Sequence, residues 1–266
     1  MFFDLGPAML FCPADRPDRF GKAAERADAV ILDLEDAVAP QRKSAARDAL
    51  MRTSLDPATT VVRVNAFDSG FFADDLVALA RTEYRTIMLA KAESIDQVSG
   101  LDRFRVIALC ETARGVVAAP ALAAAANVIA LMWGAEDLVA SLGGTSSRGA
   151  DGRYRAVADH ARSSVLLAAG ASGIAAIDAV HLDIADVDGL AAEAEDARAS
   201  GFSATACIHP GQVGAIRDAY RPTAREIDAA AALLAAAEDK HGVFVFGGRM
   251  VDEPVLRHAR SVLARA

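Results

Sequence analysis

Along the chain, short apolar runs of strand length alternate with polar or charged residues and then with segments of helical spacing. The runs fall at 9–13, 29–34, 60–65, 86–90, 105–110, 128–132, 177–182 and 204–208. Several lack the polar alternation of a half-exposed strand, as expected of parallel strands covered on both faces. Helix starts are marked between them: Pro17 opens 17–27, Pro40 opens 40–51 and Ser94 precedes 95–101. Further helices are expected over 113–126 and 154–169, and Thr223 caps a last, Ala-rich one through Lys240. About eight strand–helix units in 266 residues predict a closed (β/α)8 TIM barrel over 1–220, with a C-terminal helical extension over 221–266. An open doubly wound sheet is the competing fold. It usually carries a Gly-rich fingerprint after its first strand, and Cys12-Pro13-Ala14-Asp15-Arg16 is unlike one. The polar, Gly-rich stretch 141–153 is expected as a surface loop after the sixth strand.

Composition narrows the function. A hydrophobic fraction of 53% with 24% charged residues supports a large core and argues against disorder. The formal net charge of -8 argues against nucleic-acid binding, which needs a basic face, yet leaves room for a few arginines to hold an anionic metabolite. Cys12, Cys110 and Cys207 lie in strand-like runs without paired spacing, so buried free thiols in a reducing cytoplasm are expected. The N-terminus has no basic leader and does not read as a secretory signal. The uncharged stretch 116–135 is long enough for a membrane span, but it divides into an Ala-rich helix and a strand, so no membrane association is expected.

In a parallel barrel, residues at the C-terminal ends of strands share one mouth. Glu35 and Asp36, Arg63, Lys91, Glu111, and Glu136 and Asp137 all close or follow apolar runs. A charge at such a place is costly unless paired, ligated or solvated. Two carboxylates from neighbouring strands, Glu111 and Asp137, suit Mg2+, which takes one or two protein carboxylates and completes its shell with water and substrate. A buried network with Arg63 or Lys91 is the alternative.

The segments LFCPADRPDRFGKA, DAVILDLEDAV, VVRVNAFDS, IMLAKAES, ALCETARGV, MWGAEDLVASLG, IDAVHLDIADVDGL, CIHPGQV and GRMVDEPVLRHAR together resemble the citrate lyase β-subunit-like family of acyl-CoA lyases. That family lies within the aldolase/citrate lyase group of phosphoenolpyruvate- and pyruvate-type barrels. The resemblance implies that Glu111 and Asp137 hold Mg2+, that Arg63 grips the carboxylate of a 2-oxo acid, and that backbone groups near Gly134 and Ala135 line the same pocket. It also implies that the segment around Asp252 completes a neighbouring subunit's site in a homotrimer. Ala90 and Ala8 depart from the Pro and Ser usual in the family; these positions bear on backbone shape and fine substrate choice, not on the metal ligands.

The implied reaction cleaves a 3-hydroxyacyl-CoA thioester between C2 and C3, or condenses an acyl-CoA with a 2-oxo acid in reverse. Arg63 would orient the acid by a two-point contact, and Asp252 could serve as acid/base. Glu35 and Asp36 read equally as support for Lys91 or the metal and as salt-bridge partners of Lys43 or Arg47. Arg16, with Arg19 and Lys22, follows the first strand and could meet CoA phosphates, or simply form a solvated helix face. His209 reads as a hydrogen-bonded strand-end residue, and Trp133 as core or pocket wall. The Ser146–Ser147 pair lacks a nucleophile-elbow context, and Arg148 and Arg153 read as part of a mobile surface loop in preference to a cover for the thioester tail. Three other functions share this barrel: an aldolase for free 2-oxo acids, a malyl-CoA-type thioesterase and a non-catalytic acyl-CoA binding protein. The substrate could also ride on an acyl carrier protein instead of free CoA.

Overall fold

The computed structural model describes residues 3–238, 240 and 242–266. Eight parallel strands close into a barrel in sequence order: β1 Ala8–Pro13, β2 Ala29–Asp33, β3 Thr60–Val64, β4 Thr86–Leu89, β5 Arg105–Cys110, β6 Val128–Trp133, β7 Ala175–Asp178 and β8 Ala204–Cys207. The helices that follow are α1 Phe20–Arg26, α2 Lys43–Arg52, α3 Phe72–Leu79, α4 Ile95–Ser99, α5 Ala113–Ala123, α6 Ala135–Ser141, α7 Ala156–Ser172, α8 Val187–Ser200 and α9 Val213–Tyr220. Each apolar run forms a strand, and 116–135 resolves into the end of α5, β6 and the start of α6. Among the described residues no helix is long and apolar enough to cross a membrane. All three cysteines are free and buried.

Inside the barrel the strand period of two decides which residues meet. Met9, Ala29 and Ile31, Val61, Met88, Ile107 and Leu109, Ala130 and Met132, and Ile177 form one buried cluster. Continuing the same alternation by one step, β2 presents Asp33 after Ile31, β3 presents Arg63 after Val61, and β5 leads through Leu109 to Glu111. The polar residues at the mouth are therefore the next rungs of the apolar ladder. The intervening residues, such as Val30, Leu32 and Val62, are fully buried on the other side, so the runs show no polar alternation.

Three expectations are corrected in detail. The seventh strand ends at Asp178 instead of 182, because beyond it the chain turns out of the sheet: Val180 packs on the barrel core while Leu182 is exposed. The expected helices at 17–27 and 40–51 each open with a turn of 3-10 helix, Pro17–Arg19 and Pro40–Arg42. The chain divides into two compact units, Met1–Ile216 and Arg217–Ala266, with the boundary inside α9. The second unit is not purely helical. It contains α10 Ala224–Ala237, an antiparallel hairpin of β9 Phe244–Phe246 and β10 Arg249–Val251, and α11 Glu253–Leu263, with Ala230, Ala259 and Val262 at its core. The expected continuation of α10 to Lys240 includes Asp239, which lies outside the described residues.

Candidate active site

Asp33 and Arg63 are partners in the β2–β3 register, so their side chains emerge together on the inner face. The pair is bidentate: Arg63 Nε donates to Asp33 Oδ1 at 2.7 Å and Nη2 to Oδ2 at 2.6 Å. Burial opposes the Arg63 charge, but the Asp33 carboxylate outweighs it and holds the guanidinium above its ordinary pKa. The Phe11 ring lies 4.8 Å from the guanidinium carbon.

Glu35 links this pair to Lys91. Its Oε2 is 3.3 Å from Arg63 Nη1, and its Oε1 accepts from Lys91 Nζ at 2.5 Å. Burial pushes the Glu35 carboxyl up, against the pull of Arg63 and Lys91. Lys91 also reaches Asp36 Oδ2 at 3.3 Å, Asp137 Oδ1 at 3.4 Å and Glu111 Oε1 at 3.8 Å. Its backbone is left-handed, with φ 50°, and its amide donates to Glu111 Oε1 at 3.1 Å. A non-glycine residue held there is strained; the turn aims both the backbone N–H and the ammonium of one residue at the carboxylates. Glu35 and Asp36 thus face Lys91. Lys43 instead donates to the Leu34 and Glu35 carbonyls and to Asn65 Oδ1, and Arg47 pairs with Asp74 and Asp75.

Glu111 is only 2% exposed. Burial, and then the negative charge of Asp137, push its carboxyl up to about 8, while Lys91 and Arg63 pull it down. Asp137, in the first turn of α6, is partly exposed. Gly134, the residue before that helix, packs against Glu111: a Cβ there would stand 2.9 Å from Glu111 Cβ and 3.1 Å from Oε2. Ala135 is buried at the first helical position.

Glu111 and Asp137 supply the electrostatic case for a hard cation. The two acids share the Lys91 ammonium with Glu35 and Asp36, and burial holds the Glu111 carboxyl above the usual carboxylate range. Among the described residues no group of three or more His, Cys, Asp or Glu side chains is arranged for a metal. Two carboxylates are the number that Mg2+ takes from a protein when water and substrate complete its shell.

The other expected residues have surroundings of their own. Arg16 is clamped in the turn after β1 by Asp18, with Nε to Oδ1 at 3.1 Å and Nη2 to Oδ2 at 3.0 Å. Asp252 belongs to the second unit, where it precedes α11 and accepts from the Val255 amide at 3.4 Å. His209 caps its own turn by accepting from the Gly211 amide, as its strand-end position suggested. Trp133 is fully buried and donates to Asp178. In the segment after α6, Arg148 is paired with Glu193 and stacked on Tyr154, and Ser147 donates to Glu136. Asp33 was the residue missed from the sequence. Its signal was the spacing Asp33-Leu34-Glu35, which at period two puts both acids on one face.

Residues 7–210 match the model of the HpcH/HpaI aldolase/citrate lyase family. The chain belongs to that family. Within it, a citrate lyase subunit beta-like protein of Mycobacterium tuberculosis is 59% identical over 261 residues, covering 98% of this chain and 96% of the relative. The mitochondrial citramalyl-CoA lyase of Homo sapiens is 30% identical, over 97% of this chain and 85% of the relative. A crystal structure of CitE from M. tuberculosis in complex with magnesium, acetoacetate and coenzyme A has a TM-score of 0.95 and 58% identity, covering 98% of each chain.

Proposed function

We propose that this protein is a Mg2+-dependent carbon–carbon lyase that cleaves a 3-hydroxyacyl-CoA thioester to an acyl-CoA and a 2-oxo acid, or runs the same step in the direction of condensation. The observation that carries the reading is the convergence of β2, β3, β4, β5 and α6 on one cluster, in which Lys91 joins Glu35, Asp36, Glu111 and Asp137, and Glu35 in turn meets Arg63. The family match, the citramalyl-CoA lyase relative and the CitE complex with magnesium and coenzyme A support it.

Glu111 and Asp137 would hold the ion. When bound, the metal supplies Lewis acidity that stabilises charge developing on the substrate hydroxyl and carbonyl oxygens, worth several kcal/mol. Arg63 orients the acid's carboxylate and keeps it from rotating. Lys91, tied to four acids, holds positive charge beside the reacting oxygens; the carboxylates of Glu111 and Glu35 outweigh burial and keep its pKa above the ordinary value. Glu35 and Asp36 fix that ammonium. Gly134, which has no Cβ, lets the α6 turn approach Glu111, and backbone groups near Gly134 and Ala135 line the acid pocket. Asp252 of a neighbouring subunit in a homotrimer is the proposed acid/base, with Arg16 at the CoA phosphates and the enzyme in the cytoplasm. Small-molecule thioester and oxo acid are its partners.

The test is a panel of citramalyl-, malyl-, citryl- and hydroxymethylglutaryl-type CoA thioesters with Mg2+, following acyl-CoA, free CoA and oxo acid together. Acyl-CoA and oxo acid are expected in equal amounts, with loss of turnover on chelation. Glu111→Ala and Asp137→Ala should each lower kcat/KM by about 1,000-fold or more, as expected for the loss of a major electrostatic contribution. Free CoA released without oxo acid sinks the lyase reading, and full activity in either variant sinks the metal assignment.

A further inference from the structure

A guanidinium has two forked edges, one made by Nε and Nη2 and one by Nη1 and Nη2. In Arg63 the first edge is consumed by Asp33, at 2.7 and 2.6 Å. The edge left for another carboxylate is the terminal one, whose Nη1 stands 3.3 Å from Glu35 Oε2, so a substrate carboxylate would meet it beside Glu35. Asp33 is itself immobilised. It is 1% exposed, and besides Arg63 it accepts the Glu35 amide at 2.8 Å and the Ala37 amide at 3.1 Å. One carboxylate therefore sets both the plane of Arg63 and the turn that carries Glu35, and through Glu35 the position of Lys91.

We infer that Asp33 is the positioning residue that determines carboxylate recognition at this site: it commits Arg63 to present its terminal edge to the 2-oxo acid. Without Asp33, Arg63 is drawn further onto Glu35, whose Oε2 already lies 3.3 Å from its Nη1. It then competes with metal and substrate instead of serving them. Asp33 acts through Arg63 and the 35–37 turn and touches no reacting atom. This inference rests on the oxo-acid reading above and adds which group gives the site its preference for a charged acid over its neutral isostere.

The experiment is equilibrium binding of pyruvate and of pyruvamide to the full-length protein at saturating Mg2+, by calorimetry, with Mg2+ affinity measured separately. Wild type is expected to prefer pyruvate. In Asp33→Asn the pyruvate affinity should fall on the order of 30-fold and the preference over the amide should collapse, while Mg2+ affinity changes much less. Asp33→Ala should behave similarly and recover pyruvate binding when formate is added to fill the vacated carboxylate position. Melting curves of both variants identify any general loss of fold, in which case formate rescue decides. Pyruvate binding unchanged or tightened in Asp33→Asn, or no rescue of Asp33→Ala, overturns the inference. Wild type that binds no pyruvate in the presence of Mg2+ overturns the oxo-acid reading and this inference with it.

Discussion

The carboxyl of Glu111 concentrates the conflict in the site: it is buried, close to another acid, and in its proposed role must be charged to hold a cation. Its pKa of about 8 against an ordinary 4.5 means that the fold binds this proton more tightly than the unfolded chain does. The contribution of Glu111 to the stability of the metal-free fold therefore falls as pH rises from the ordinary carboxylate range through about 8, and falls no further above it. A cation at the carboxylate reverses the preference, so binding must expel the proton. Apparent Mg2+ affinity should rise by up to about tenfold per pH unit between pH 6 and 8 and then level off. Calorimetry in buffers of different ionisation enthalpy checks both the slope and the released proton; a flat profile contradicts it. Gly134 makes a second prediction. The Cβ of Gly134→Ala would overlap the Glu111 side chain, so Mg2+ affinity should drop about tenfold or more. Titration of the folded variant with Mg2+ is the check.

At the scale of elements, the site depends on how β2 and β3 are joined beyond the sheet. Lys43, on the first turn of α2, is 6% exposed and donates to Leu34 O, Glu35 O and Asn65 Oδ1 at 2.8, 3.0 and 2.7 Å. Asn65 also donates to Leu34 O and, from both amides, to the buried Asp75 of α3. Burial lowers the Lys43 pKa, yet three acceptors and the nearby acids keep the ammonium useful. Lys43→Met leaves those acceptors without a donor and should cost on the order of 3 kcal/mol. Urea unfolding measures this; a change under about 0.5 kcal/mol, the size of an ordinary surface substitution, counts against the network. A lysine at the start of a helix gave no hint of this role, because its partners are carbonyls 8 and 9 residues away and an amide 22 away. The same blindness affected the seventh strand, where apolar residues on the rim read like a continuation of the sheet, and the β9–β10 hairpin, whose Gly247-Gly248 turn has positive φ at both residues.

On the scale of the whole molecule, closing eight strands turns a list of charges into one site. Because the proposed ion binds the folded barrel and not the separated strand ends, it should stabilise the whole barrel unit: at about 100 times its Kd, by about 2.7 kcal/mol. Melting with Mg2+ and with chelator should differ by several degrees, and the difference should vanish in Asp137→Ala. The sequence alone determined the barrel, since strand-length apolar runs followed by helical segments have few other ways to bury both faces of a sheet. It also determined which residues stand at the mouth, because strand ends in a parallel barrel share one side. What only the tertiary structure decided was who faces whom. That Arg63 is already held by Asp33, that Lys91 gathers four acids, and that Gly134 makes room for Glu111 depend on register and backbone angles between segments far apart in the chain, which hydrophobic period does not encode.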